Sequence, residues 1–181
     1  MYIMRYLVGT QSYEIVYDGE KSKSLIGYAD SDWAADTLKR RSTTGYFAML
    51  ASGIVTWLSR LQKTIALSST EAEYMALSDL CRQISWIQSL FLELGFPFSR
   101  TPICGDNQGS IFIGSNPVQE RWTKHIDIRY HYIHECIENN KVSVVFIPGS
   151  DNPADMFTKN LGAVKFLKFR DSLGIKFEKQ V

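Results

Sequence analysis

The sequence predicts a mixed α/β domain in which an antiparallel set of strands precedes strands that alternate with helices. In the first third of the chain, apolar, β-branched and aromatic runs are separated by turn signals such as Ala51-Ser52-Gly53, which predicts strands and a hairpin. From residue 68 to residue 94 the apolar positions recur at intervals of three and four, which predicts one long amphipathic helix. Beyond it, short apolar strands alternate with further helices.

The order of the elements can be read from these patterns. The long helix begins with two overlapping capping boxes, Ser68 with Glu71 and Thr70 with Glu73. Before it, strands are expected at residues 13–17, 24–30, 44–50, 54–59 and 64–67. After it, we expect strands at 102–106 and 142–147, and helices at 107–113, at 124–140, from Asn152-Pro153, and at 164–175.

The composition is that of one folded domain. Of the 181 residues, 45% are hydrophobic and 22% are charged, so the chain has enough apolar residues for a packed core. A formal net charge of +1 does not mark a nucleic-acid binder, but a local basic face is compatible with it. There is no apolar run of the roughly 20 residues that span a bilayer. The start, MYIMRYLVGT, lacks the long apolar region and the small-residue cleavage site that are typical of a signal peptide. Three widely spaced cysteines are typical of reduced thiols, so an intracellular location is expected.

Four acidic residues stand at the ends of predicted core elements. Asp30 and Asp106 end strands, while Glu73 and Asp155 lie in the first turns of helices. If the two strands are neighbours, these side chains converge at one edge of the sheet. Carboxylates so close together repel one another unless cations lie between them. Two divalent ions about 4 Å apart, bridged by carboxylates, are an arrangement used by nucleases.

Each of these acids also has an ordinary structural explanation. Glu73 can close a capping box with Thr70, and Asp155 can complement a helix dipole. Asp106 can be a turn residue. Asp30 is the hardest to explain in this way, because it follows an apolar strand. The occurrence of all four at element ends favours the metal site.

Six motifs then identify a family. GYADSDWAAD, RSTTGY, SSTEAEYMAL, GDNQGSI, TKHIDIRYHYI and NPADMFTK, in this order and spacing, resemble the RNase H domain of copia-type LTR retrotransposon polyproteins. The resemblance runs from about Arg5 to Gly174. It implies an RNase H-like fold with a five-stranded mixed sheet flanked by helices. It also implies hydrolysis of the RNA strand of RNA/DNA hybrids with two Mg²⁺ ions, for which Mn²⁺ can substitute.

The resemblance also implies a ligand set. Two choices stay open, Asp30 against Asp32 and Glu73 against Glu71; the family pattern favours Asp30 and Glu73. The loop IPGSDNPAD lacks the histidine that many cellular RNases H carry there, which removes one candidate proton carrier. The four positions that match the catalytic, metal-binding carboxylates of the family are Asp30, Glu73, Asp106 and Asp155.

Substrate contacts require cations for phosphates and donors for ribose hydroxyls, because the 2′-OH distinguishes RNA from DNA. Gln108 matches a family position that touches the minor groove, and Ser69, Thr70 and Asn107 adjoin the expected metal ligands. Several basic residues are candidates for phosphate contacts: Lys39, Arg40, Arg41, Arg60, Lys63, Arg121, Lys124, His125 and Arg129.

The resemblance sets the expected organisation and partners. Residues 1–20 are expected to be the remnant of a preceding polymerase or connection region, 21–162 the RNase H domain, and 163–181 a C-terminal helical tail. The expected partners are an RNA/DNA hybrid and the polymerase domain of the parent polyprotein, without a membrane. Two functional classes remain: a metal-dependent ribonuclease, and a non-catalytic or domesticated module that binds nucleic acid or protein. A Holliday-junction or integrase-like nuclease fits the motifs less well.

Overall fold

The computed structural model describes residues 2–20, 24–115 and 124–177. The helices are α1 (Tyr2–Gly9), α2 (Ser69–Glu93), α3 (Gln108–Ser115), α4 (Lys124–Glu138) and α5 (Ala163–Ser172), with two 3₁₀ helices at Gly149–Asp151 and Pro153–Phe157. The strands are β1 (Tyr13–Ile15), β2 (Ile26–Asp32), β3 (Thr43–Leu50), β4 (Gly53–Leu61), β5 (Thr101–Gly105), β6 (Val142–Phe146) and β7 (Ile175–Phe177).

The main sheet has five strands in the order β4-β3-β2-β5-β6. β2, β3 and β4 form an antiparallel meander. β5 runs parallel to β2, and β6 runs parallel to β5. The predicted five-stranded mixed sheet is therefore confirmed. Because β2 and β5 are parallel neighbours, their carboxyl ends meet at one edge of the sheet.

Helix α2 covers one face of this sheet with its apolar stripe. Leu80 and Ile84 are fully buried in the core that α2 shares with Ala29 and Ile103. Gly27 of β2 lets the helix lie close, because an added Cβ would be 3.0 Å from the Leu80 methyl groups. This packing fixes the first turn of α2 beside the carboxyl end of β2.

The opposite face of the sheet carries the Pro153–Phe157 3₁₀ helix and α5. Phe47, Ile54, Ala154 and Leu173 form a second buried cluster there. Gly45 of β3 permits the closest approach: a Cβ at this position would lie 2.6 Å from Thr158 Cγ2 and 2.8 Å from Phe157 Cβ. The contact between the 3₁₀ helix and β3 sets where Asp155 lies.

Several expected elements differ from the structure. β2 does not end at Asp30, as predicted, but continues to Asp32. The predicted strand at 64–67 is wrong: after β4 the chain turns towards α2, and Gln62 Nε2 donates to Thr44 Oγ1 at 3.0 Å and to Ala72 O at 2.9 Å. The element that begins at Pro153 is a 3₁₀ helix of five residues. The C-terminal helix ends at Ser172, because Gly174 adopts a positive φ of 77° and the chain continues as β7.

Two short strands, one early and one late in the chain, form a second sheet. β1 pairs with β7 in antiparallel register, with Tyr13 opposite Phe177. α1 has no buried residue. The predicted domain boundaries at residues 20 and 162 stay a prediction. The small sheet joins a strand of the predicted N-terminal remnant, β1, to a strand of the predicted C-terminal tail, β7. None of the described helices combines the length and the apolar character that crossing a membrane requires.

The substitution Gly45→Ala should destabilise the protein. The added methyl group collides with Thr158 and Phe157, and overpacking of this kind lowers the free energy of unfolding by about 1–3 kcal/mol. Urea denaturation measures the difference. Gly19→Ala is the matched control, because nothing lies within 4 Å of its Cβ position. Equal free energies of unfolding for the two variants would contradict the tight contact.

Candidate active site

Three aspartates form an acid cluster at the carboxyl edge of the sheet. Asp30 is in β2, Asp106 directly follows β5, and Asp155 is in the 3₁₀ helix. One carboxylate oxygen from each lies within 4.8 Å of the other two. Asp30 and Asp155 are only 1% and 2% exposed, whereas Asp106 is half-buried. We call these three residues the acid cluster.

Glu73 borders the acid cluster from the first turns of α2. Its Oε1 accepts a hydrogen bond from the backbone N–H of Ser31, the residue after Asp30, at 3.2 Å. Burial raises the pKa of Glu73 to about 9, and the charges of Asp30 and Asp106 contribute to the rise. Glu73 is therefore a buried neighbour of the acid cluster, although it is not among the residues whose carboxylate oxygens all lie within 4.8 Å of one another.

The neighbouring acid on α2 has a different role. Glu71 Oε2 accepts from Leu67 N at 2.8 Å, and the Glu71 N–H donates to Ser68 Oγ at 3.1 Å. Glu71 therefore takes part in capping α2, as its spacing from Ser68 predicts. The second predicted capping pair differs, because Glu73 accepts from Ser31 rather than from the backbone of Thr70. The geometry favours Glu73 over Glu71 as a ligand.

Asp32 lies apart from the acid cluster. It is half-buried at the end of β2 and lines a shallow cleft with Phe157 and Lys159. Of the two candidates in YADSD, the structure brings Asp30 together with Asp106 and Asp155. Asp32 is left at the rim of the site.

Two lysines form ion pairs with the acid cluster, and a threonine donates a hydrogen bond to it. Lys159 Nζ is 2.8 Å from Asp155 Oδ1 and 3.7 Å from Asp30 Oδ2. Lys165 Nζ donates to Asp155 Oδ2, and Thr158 Oγ1 donates to Asp30 Oδ2. The sequence interpretation missed these groups, although the four-residue spacing of Asp155 and Lys159 is a usual signal for an ion pair.

Asn152 connects the elements that carry the aspartates. It is fully buried; its Nδ2 donates to Ala29 O at 2.9 Å, and its Oδ1 accepts from Ala154 N at 3.1 Å. Burial raises the pKa of Asp106, and a hydrogen bond from the Asn152 side chain opposes this rise. The predicted capping role of Asn152 is confirmed. Its contact with β2 could not be read from the sequence, because the partner is 123 residues away.

Gly149 leaves room for Asp106. It follows β6 at the same edge of the sheet, and a Cβ added there would lie 2.6 Å from Asp106 Oδ2. Any larger residue at this position must displace the carboxylate. A glycine at position 149 is thus a geometric requirement of the site.

In the acid cluster, the pKa values of Asp30 and Asp106 are raised mainly by burial and to a smaller degree by neighbouring carboxylates. Burial, more than any other cause, raises the pKa of Asp30 to about 6, although Thr158 and Lys159 oppose the rise. The pKa of Asp106 is raised by burial and by the charge of Asp155. Protons therefore stay bound to this site at pH values where an exposed carboxyl group is ionised.

The donor set fits a hard divalent cation. Asp155 Oδ1 is buried, and the partner that the structure shows for it is the Lys159 ammonium, at 2.8 Å. Mg²⁺ and Mn²⁺ prefer oxygen ligands, and every candidate ligand at this site is a carboxylate. Asp30, Asp106, Asp155 and the adjacent Glu73 are thus suited to hold such ions.

The expected donors for ribose and phosphate lie at the starts of α2 and α3. A Cβ on Gly109 would lie 3.1 Å from Thr70 Oγ1, so these two helix starts are in contact. Asn107 caps α3, with its Oδ1 accepting from Ser110 N at 2.8 Å. Ser69 and Gln108 are exposed beside them. These residues form one polar surface next to the carboxyl end of β5.

The candidate cations are distributed over several places. Arg60 and Arg129 converge on Asp79 of α2, not on the acid cluster, and Lys63 is exposed near them. In the loop after β2, Lys39 and Arg40 are exposed and Arg41 pairs with Asp36 at 3.6 Å. Two of the candidates, Lys124 and His125, begin α4, but their side chains are outside what the structure describes, as is all of Arg121.

The chain has an RNase H-like fold. LC11-RNase H1, isolated from compost, matches with a TM-score of 0.57 over 76% of this chain and 94% of its own, at 16% identity. The same protein in complex with an RNA/DNA hybrid matches with a TM-score of 0.55 at 15% identity, over 75% of this chain and 94% of its own. The foamy viral protease-reverse transcriptase in complex with a hybrid gives 0.52 over 80% of this chain and 21% of its own, at 14% identity.

The relatives of the chain are retrovirus-related Pol polyproteins of transposons. The retrovirus-related Pol polyprotein of transposon TNT 1-94 from Nicotiana tabacum is 37% identical over 96% of this chain, as is that of transposon RE2 from Arabidopsis thaliana. The chain spans only 13% and 12% of these polyproteins. No family model matches. The chain is a homologue of one segment of the Pol polyproteins of copia-type transposons, as its motifs predict.

The stability of the metal-free protein should fall as pH rises from about 5 to 9. Asp30 and Glu73 bind protons more tightly when folded, so their contribution is lost as pH passes their raised pKa values of about 6 and about 9. Divalent cations bound at this site would replace these protons. Saturating Mg²⁺, at about 100 times its Kd, should therefore raise the melting temperature by about 5–10 °C at pH 8.5. At pH 5.5 the rise should be much smaller.

Scanning calorimetry with and without Mg²⁺ at the two pH values measures this difference. In Glu73→Gln, the decline of the metal-free melting temperature between pH 7 and 9 should become flatter. An equal Mg²⁺-induced shift at both pH values would show that the raised pKa values do not belong to the metal site.

Proposed function

We propose that this protein is a ribonuclease H that hydrolyses the RNA strand of RNA/DNA hybrids during retrotransposon reverse transcription. The observation that carries the proposal is the convergence of Asp30, Asp106 and Asp155, with Glu73 beside them, at the carboxyl edge of an RNase H-like sheet. The homology to Pol polyproteins supports the context. The hybrid complexes of LC11-RNase H1 and of the foamy viral enzyme support the substrate class.

The four carboxylates would hold two Mg²⁺ ions, or Mn²⁺ in their place. When bound, such ions activate water and stabilise the negative charge on the phosphate under attack. The part of the protein is to present the carboxylates in one place. β2 and β5 bring Asp30 and Asp106 to the same edge, and Asn152 holds the 3₁₀ helix with Asp155 against β2.

The neighbouring polar surface would orient the substrate. Thr70, Asn107 and Gln108 lie at two contacting helix starts and offer hydroxyl and amide groups. Such groups bind phosphate oxygens and ribose 2′-hydroxyls, which DNA lacks. We propose that this surface provides the selection for an RNA strand.

A non-catalytic module is the second candidate. It is favoured by the ion pairs of Lys159 and Lys165 with Asp155, because they balance the acid cluster without a cation. A protein that used these pairs only for stability would keep the fold and its nucleic-acid contacts without hydrolysis. The two candidates differ in whether the lysines give way to divalent ions.

Cleavage of a labelled RNA/DNA hybrid by the purified protein in Mg²⁺ and in Mn²⁺ tests the proposal. Hybrid-selective cleavage is expected, with single-stranded RNA and duplex DNA left intact. Asp106→Asn should reduce the rate by more than about 100-fold, because changes to groups that only orient metal ligands already reduce metal affinity or activity 10–100-fold. Folded protein that binds the hybrid and cuts it in neither metal would establish the non-catalytic module instead.

Gly149→Ala should reduce cleavage without unfolding the protein. The added methyl group pushes the Asp106 carboxylate aside, and a displacement of this size in a positioned group lowers kcat by about 10–100-fold. Only a terminal carboxylate must move, so the melting temperature should stay within about 2 °C of the parent.

Gly105→Ala is the matched control, because its added Cβ meets Leu77 at an ordinary contact distance of 3.6 Å. Steady-state kinetics on the hybrid compare the two variants. If Gly149→Ala cuts as fast as Gly105→Ala, the position of Asp106 is not critical to the reaction.

A further inference from the structure

A basic cleft lies beside α2, apart from the acid cluster. It has a volume of about 570 Å³ and lies between the end of β4, the middle of α2 and the first half of α4. Four cations and one carboxylate line it, which leaves a formal excess of three positive charges. The charged residues of this arginine cleft are Arg60, Lys63, Asp79, Arg82 and Arg129.

Asp79 organises the cleft. Its side chain is 8% exposed; Oδ2 accepts from Arg60 Nη2 at 2.9 Å, and Oδ1 accepts from Arg129 Nη1 at 2.8 Å and from Arg82 Nη2. Burial by itself would raise the pKa of Asp79, but the three guanidinium groups, Arg129 foremost, more than offset it and lower this pKa. Asp79 is therefore a carboxylate that holds three arginines together.

One carboxylate does not balance three guanidinium groups. The arginines that share Asp79 repel one another, and surface ion pairs contribute little stability in return. A guanidinium group carries five N–H donors, and the bond to Asp79 uses one from Arg60 and one from Arg82. These two side chains are 47% and 55% exposed. The cleft thus offers charge and donors that an anion would use.

The walls of the cleft are held in place by contacts within the protein. Arg129 Nη1 also donates to Met75 O at 3.1 Å, which ties α4 to α2. Gln62 Nε2 donates to Ala72 O and Thr44 Oγ1, which ties the end of β4 to the same helix and to β3. Asp79 holds Arg60 and Arg82 against this framework, and guanidinium groups held by a carboxylate can present their remaining donors to the oxygens of a phosphate.

We propose that the arginine cleft binds backbone phosphates of the nucleic acid on which the acid cluster acts. The identity of the ligand rests on the proposed function. Asp79 follows Glu73 by six residues on α2, an advance of about 9 Å along the helix axis. One strand of a duplex advances about 3.4 Å per nucleotide, so a separation of about 9 Å corresponds to roughly two or three nucleotides. Arg82 and Asp79 were not among the substrate contacts expected from the sequence.

Binding of a fluorescent RNA/DNA hybrid in EDTA, followed by anisotropy at several salt concentrations, tests the cleft without cleavage. Arg60→Gln combined with Arg82→Gln should weaken binding about tenfold or more. The slope of log K against log[salt] should become shallower by about 0.9 for each phosphate that the variant no longer binds. Arg82→Lys keeps the charge but not the fork of donors, and should fall between the parent and the double variant.

Arg100→Gln is the control. Arg100 donates to Val142 O at 2.9 Å and precedes β5, at the edge of the sheet opposite the acid cluster. It should bind within about twofold of the parent, with the parent salt slope. In cleavage assays the cleft variants should raise KM and leave kcat unchanged, because the cleft does not contact the reacting phosphate.

A folded double variant with the Kd and salt slope of the parent would overturn the proposal, as would a parent protein that does not bind the hybrid at low salt. If the parent cleaves the hybrid and the double variant binds it as tightly as the parent does, the cleft is not a binding site, whereas the proposed ribonuclease activity stands. If binding depends on the cleft but the protein cleaves the hybrid in neither Mg²⁺ nor Mn²⁺, the cleft is a binding site and the proposed ribonuclease activity is wrong.

Discussion

The parallel pairing of β2 with β5 is the constraint on which the site depends. In this register Gly27 lies opposite Ile103 and Tyr28 opposite Cys104, so the chain continues from both strands at the same edge. Antiparallel pairing would send Asp30 and Asp106 to opposite edges of the sheet. The long connection through α2 makes the parallel arrangement possible, and its apolar stripe, buried on the sheet, supplies the free energy that holds it.

That free energy offsets the cost of burying several carboxyl groups close to one another. Three aspartates and Glu73 are gathered in a largely buried place, and the raised pKa values of Asp30 and Glu73 show how unfavourable their ionised forms are there. Protons and the ammonium groups of Lys159 and Lys165 relieve the repulsion in the metal-free protein. Divalent cations would relieve it more strongly, so the ions that the proposed reaction needs would also stabilise the folded protein. The arginine cleft shows the opposite imbalance, with an excess of positive charge held on Asp79.

Periodicity, caps and motifs predicted most of the strands and helices along the chain and the positions of the acids near their ends. They left open whether β2 and β5 are neighbours, and they ended β2 at Asp30, whereas the strand continues to Asp32. Local pattern failed at residues 64–67, where β propensity is present but Gln62 directs the chain away from the sheet. It also could not show contacts between distant positions, such as Asn152 with Ala29 or Arg129 with Asp79. Such pairs depend on how helices and strands pack, and no spacing along the chain reports them.

The central claim is that the acid cluster is a cation site. Anomalous diffraction from crystals grown with Mn²⁺ tests it most directly, because the metal itself is located. We expect ion density between Asp30, Asp106 and Asp155, with the Lys159 ammonium moved away from Asp155. Crystals at saturating Mn²⁺ that hold no ion there, with Lys159 still paired to Asp155, would contradict it.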